Sequence, residues 1–139
     1  MVDDLMKKYP NDVKLVIKNF PLSFHKQAKK AAKYALAADK QGKYYEMYKK
    51  IMENFRQLKT NEDLPAQYAE ELGLNMEQFN NDWKLPEIAQ QIETEINQLK
   101  NSGIPRLSVP KFLINGKEPQ GRSLDAFSAV IDAELKKRK

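Results

Sequence analysis

The chain has 139 residues, 41% of them hydrophobic and 31% charged, with a formal net charge of +5 and a pI near 9.3. That length suits a single domain with a sizeable core, and the balance is that of a globular chain rather than a disordered or membrane-embedded one. There is no cysteine, which excludes disulfides and thiolate metal sites within the chain, and no apolar run approaches the ~18 residues of a spanning helix.

Residues 3–9 predict a short helix with Val2, Leu5 and Met6 on one side, stopped by Pro10 and Asn11. Residues 13–20, rich in β-branched side chains around an apolar centre, predict a buried strand. Pro21 ends it, because proline cannot donate to a ladder. From residue 23 the pattern turns helical. Ala28, Ala31, Ala32, Ala35, Leu36 and Ala38 recur at helical spacing with lysines opposite, until Gly42 closes the helix. A second helix from Lys43 carries Tyr44, Met47, Tyr48, Ile51, Met52 and Phe55 as one stripe, expected to be core. Residues 64–72 and 76–83 predict two shorter helices. Pro86 suits the first position of a long helix carrying Ile88, Ala89, Ile92, Ile96 and Leu99, which Gly103 ends. The tail predicts two short strands around Asn115-Gly116, since both residues tolerate positive φ. A closing helix follows, with Leu124, Phe127, Val130, Ile131 and Leu135 inward.

The positive charge raises nucleic acid and anionic membrane as partners. Lysine is spread through the chain, however, and its densest cluster, Lys26, Lys29, Lys30 and Lys33, falls at the spacing of a solvated helix face. With no RNA-binding aromatic signature and no zinc-ligand spacing, neither partner is expected. The first residues, Met1-Val2-Asp3-Asp4-Leu5, lack the basic start and apolar middle of a secretion signal. His25, the sole histidine, has no second ligand or triad partner and is read as structural. Glu70, Glu71, Glu93 and Glu95 are expected on solvated helix faces rather than as an acid/base pair. No metal, cofactor or catalytic residue is expected.

Four stretches carry a resemblance. They are Lys8-Tyr9-Pro10 with Val13-Lys14-Leu15-Val16; Phe20-Pro21-Leu22 with His25, Ala28, Ala32, Ala35 and Ala38 through Gln41-Gly42-Lys43; Leu72-Gly73-Leu74 with Phe79; and Gly103-Ile104 leading to Val109-Pro110, Ile114-Asn115-Gly116 and Gly121. In that order they resemble the DsbA family of thiol-disulfide oxidoreductases over essentially the whole chain. Each motif is weak alone, and their order carries the match. Pro105-Arg106-Leu107 lengthens the approach to Pro110 relative to that family.

The resemblance implies an α/β, thioredoxin-like fold in a single domain, residues 1–139, with an inserted helical subdomain over residues 23–102. It also implies that the first strand and the Cys-x-x-Cys motif are absent, because Met1 falls at a point resembling the interior of the active-site helix. A truncated family member is therefore expected, inactive in thiol-disulfide exchange for want of a nucleophile. Pro110 is implied to be a cis-proline, with the backbone of Val109 pairing with substrate. The alternative function is a non-catalytic module that binds unfolded or extended polypeptide at this edge. Without the strand that would separate them, residues 13–20 and 111–114 are expected to pair directly or to recruit a second copy of the chain. By the same resemblance the location is periplasmic, or otherwise extracytoplasmic, in bacteria.

Overall fold

An α-helix satisfies its backbone hydrogen bonds within itself, and helix is what most of this sequence forms. The computed structural model describes residues 1–23, 25–104 and 108–138. Among them run α1 (Val2–Lys8), α2 (Lys26–Asp39), α3 (Tyr44–Glu53), α4 (Leu64–Glu71), α5 (Met76–Asp82), α6 (Pro86–Lys100) and α7 (Leu124–Lys137), with a 3-10 turn at Gln57–Lys59. The chain divides into two compact units, Lys18–Ile104 and Met1–Ile17 with Pro105–Lys139.

In Lys18–Ile104 the alanine face of α2 packs as its spacing predicts. Ala31, Ala35, Ala37 and Ala38 are buried together with Tyr34 and Leu36. Small side chains let neighbouring helices approach closely, and Met47, Ile51, Tyr68, Phe79, Ile88 and Ile92 complete the core. Phe79 stacks on Tyr34 with ring centroids 5.6 Å apart, and Trp83 tilts against the same ring at 5.0 Å. Gly42, at φ +73, makes the reversal after α2, where the Lys43 N–H donates to the Ala38 carbonyl at 2.9 Å. The Asn75 side chain caps α5 by accepting from the Gln78 N–H at 3.0 Å. Its backbone also exchanges two bonds with the Gln41 side chain, at 2.8 and 3.1 Å. The apolar stripe of α3 is only partly core. Met47 and Ile51 are buried, but Met52 is 53% exposed, because α2 and α4 cover one side of this helix, and Phe55, 52% exposed, falls in the turn beyond the helix end at Glu53.

In the other unit, Leu5 and the adjoining Tyr9 meet Phe127 and Ile131 of α7 in a small buried core. Val13, Phe112, Ile114, Leu124 and Leu135 pack around it, with Phe112 edge-on to Phe127 at 5.1 Å. The Tyr9 hydroxyl donates to Asp132 Oδ1 at 2.6 Å, and Lys8 Nζ donates to Ser128 Oγ at 3.0 Å. Ser123 caps α7, accepting from the Ala126 N–H at 3.1 Å.

The α/β expectation is overturned. Helix accounts for 58% of the structure and strand for 1%, and there is no sheet among the described residues. Residues 13–20 and 111–113 carry no regular secondary structure, and among the described residues no strand pairing involves them; the isolated bridge found joins Ile114 to Lys117. Burial of residues 13–20 as a strand is overturned with it, since Leu15 is 39% exposed and Val16 61%. The physical reason lies in what β-propensity measures. It reports fit to a neighbouring strand, and a lone segment leaves its N–H and C=O groups to water whatever its side chains. The lengthened approach read at residues 105–107 lies outside the described residues.

Candidate functional site

Asn115 and Gly116 adopt φ +49 and +81, the left-handed pair that a tight hairpin turn requires. The Ile114 N–H donates to the Lys117 carbonyl at 2.8 Å, and the Lys117 N–H returns a bond to Ile114 at 3.0 Å. Glu134 of α7 clamps this turn. Its carboxylate accepts from Lys117, from Lys137 at 3.0 Å, and from Asn115 Nδ2 at 3.4 Å. The bond from Lys117, with that from Lys137 next, lowers the Glu134 carboxyl to about 2.

The Val109–Pro110 bond is cis, as the resemblance implies. Val109 is half-buried and Pro110 exposed. The Pro110 carbonyl accepts from Arg122 Nη2 at 3.0 Å, and Lys111 pairs with Glu118 at 3.0 Å. Sequence reasoning passed over Arg122; the available signal was a cation directly after Gly121 and before the helix-capping Ser123. From this stretch Phe112 and Ile114 pack inward beside Val13, while Leu113 is 45% exposed. Leu15 and Val16 of the same unit are also exposed, on backbone without a strand partner among the described residues. Apolar side chains on unpaired backbone are features that this segment shares with a sheet edge. It holds no thiol.

His25 and the singled-out carboxylates belong to Lys18–Ile104. His25 stands at the N-cap of α2, without a side-chain capping bond, and lines a cavity together with Phe20, Leu22 and Ile96. Glu70 is exposed, and Glu71 pairs with Lys50 at 2.7 Å. Glu93 pairs with Lys29 at 2.7 Å, a hydrogen bond that holds its carboxyl below the usual range. Glu95 departs from expectation, being only 9% exposed. Its Oε2 accepts from the Asn19 backbone N–H at 2.9 Å and from Asn19 Nδ2 at 2.8 Å, and its Oε1 from Gln91 at 3.4 Å. Burying this carboxylate is tolerated because it satisfies a backbone donor that no ladder serves. The signal was in the sequence, since Glu95 shares the inward face of α6 with Ile88 and Ile92. Burial first, then the charge of Glu95, pushes the Tyr44 phenol up to about 12. No group of three or more His, Asp or Glu side chains that could hold a metal ion occurs among the described residues.

Compared with known proteins, the chain is 29% identical over 133 residues to a curated relative, the Na(+)/H(+) antiporter NhaA of Herminiimonas arsenicoxydans. That match covers 94% of this chain and 20% of the antiporter, so the chain spans about a fifth of the relative's length. No solved structure matches. The family model described as thioredoxin matches residues 1–133. The chain belongs to the thioredoxin family.

Proposed function

We propose that this thioredoxin-family chain binds extended polypeptide without thiol chemistry of its own, using the backbone at Val109 and Pro110 together with that of residues 13–17, whose Leu15 and Val16 are exposed. One observation carries the reading: Leu15, Val16 and Leu113 present apolar side chains on backbone that has no strand partner among the described residues. An incoming strand would supply the missing hydrogen-bond partners and cover those side chains. Its main chain would give affinity and its alternate side chains specificity. Disulfide oxidation or isomerisation of the DsbA type needs a thiolate nucleophile, which would have to come from outside this cysteine-free chain. A second copy of the chain is the other occupant such an edge accepts. A bacterial, extracytoplasmic location is proposed on the DsbA resemblance. Ion exchange is the named activity of the antiporter relative and stays with it. No helix among the described residues is long and apolar enough to cross a membrane.

The test is interferometry on immobilised, reduced and carboxymethylated lactalbumin, a permanently unfolded polypeptide. Saturable binding is expected, weakened by Val16→Lys and by Leu113→Lys, since a lysine on an edge obstructs pairing. Both positions are exposed, so the circular dichroism of the variants should match that of the parent. No binding by the parent, or equal binding by both variants, ends the reading. Light scattering assigns the edge to self-association if a dimer forms and Leu113→Lys dissolves it.

A further inference from the structure

We infer that a cavity lined by residues 20–23, by His25, Lys26 and Lys29, and by α6 binds a small amphipathic carboxylate, such as a medium-chain fatty acid. The cavity measures about 490 Å³, within the range of small-molecule sites. Phe20, Pro21, Leu22 and Ile96 line it and are all only half-buried, so the apolar body of a ligand would cover surface that water now touches.

The charged lining is lopsided. Lys26, Lys29 and Lys100 face a single acid, Glu93. Lys29 pairs with that acid at 2.7 Å and Lys100 adds a weaker pull on it, so three cations against one carboxylate leave the lining with surplus positive charge. Lysines beside apolar lining residues suit a head group that carries negative charge and accepts from several donors, which a carboxylate does. A sugar or nucleotide would leave hydroxyl groups against Phe20 and Ile96 without partners, at a cost. The Lys29–Glu93 pair also sets the sign of a test. Both side chains are about half exposed, at 54% and 47%, so the pair adds little to stability, yet Glu93 repels any anion that enters.

Isothermal titration of the full chain with sodium decanoate is the experiment. Saturable binding is expected, with 1-decanol, the same chain without a charge, markedly weaker. The double variant Lys26→Gln, Lys100→Gln should weaken decanoate about tenfold, as the loss of a charge-assisted hydrogen bond predicts. Glu93→Gln should tighten it, an outcome that a purely structural role for Glu93 would not give. Ile96→Trp, which fills the cavity, should abolish binding. No saturable heat, equal affinity for decanoate and decanol, or affinity unmoved by both charge variants overturns the proposal. Inorganic phosphate binding as tightly as decanoate overturns it too, because a bare anion site would then suffice.

Discussion

In residues 18–104 the side chains of Phe79, Met47, Ile92 and Pro65 are fully buried on a frame of helices. In the unit formed by Met1–Ile17 and Pro105–Lys139, a core of Leu5, Tyr9, Phe127 and Ile131 coexists with Leu15, Val16 and Leu113 left outside. The stranded residues are no less apolar than those of α3 or α6. What differs is where the backbone finds its partners. Helices α2 to α6 bring theirs with them and are free to bury whichever face is apolar, whereas residues 13–17 and 111–113 depend on a neighbour for every ladder bond. Without those bonds Val13 and Phe112 still pack on the core, while Leu15, Val16 and Leu113 stay outside.

Substitutions can break or sharpen this comparison. The largest effect is expected from Phe79→Ala, which removes a fully buried ring stacked on Tyr34 and should cost about 3–5 kcal/mol in urea unfolding. Hydrogen exchange should then accelerate in α2 and α5 while α7 keeps its protection. Equal acceleration in α7 would show that the two units share one cooperative transition. Phe127→Ala reverses the experiment, with about 3 kcal/mol lost and the faster exchange confined to α1 and α7. Tyr9→Phe deletes the 2.6 Å bond to Asp132 and should cost about 2 kcal/mol by the same measurement. Asn75→Ala and Ser123→Ala each remove a helix cap, one in each unit, and should each cost about 1 kcal/mol. Near-equal cap penalties beside unequal core behaviour would confirm that the units differ in packing rather than in helix formation.

The smallest effect concerns acid. The Glu134 carboxyl sits at about 2 in the folded chain, below its ordinary 4.5. Its contribution is therefore present above pH 4.5 and is lost as the pH falls through about 2. Lys117→Met removes the leading cause and should move the Glu134 carboxyl carbon titration back toward 4.5, read by NMR. An unmoved midpoint would show that the clamp on the turn does not depend on Lys117.

Punctuation in the sequence marked the helices well. Gly42, Pro86 and the Asn115-Gly116 pair stand at boundaries the structure uses, because their backbone preferences act locally. The cis bond at Pro110 was legible through the resemblance alone. The strands were not legible, since residues 13–20 have strand composition and composition does not reveal whether a partner is present. Phe55 misled because α3 ends before it, at Glu53, and Met52 for a reason of coverage. Helical periodicity locates an apolar stripe but not the width that neighbouring helices cover. Glu95 was misread because its residue type outweighed its position, whereas the spacing with Ile88 and Ile92 pointed inward. Of the candidate edge, the apolar run was readable and its exposure was not. Arg122 at the Pro110 carbonyl depends on a turn that no single residue announces.

The lone indole of the chain, Trp83, leans on Tyr34 within residues 18–104, with the amines of Lys30 and Lys84 each 5.4 Å from its ring. The indole thereby tags one unit, while the emitter of the other is a tyrosine, Tyr9. Emission from Trp83 reports when the Tyr34–Phe79 stack comes apart. An unfolding curve read from the indole alone is accordingly a curve of residues 18–104. Set beside the dichroism trace, to which α1 and α7 also contribute, it separates that unit from the one that holds Tyr9 and Phe127.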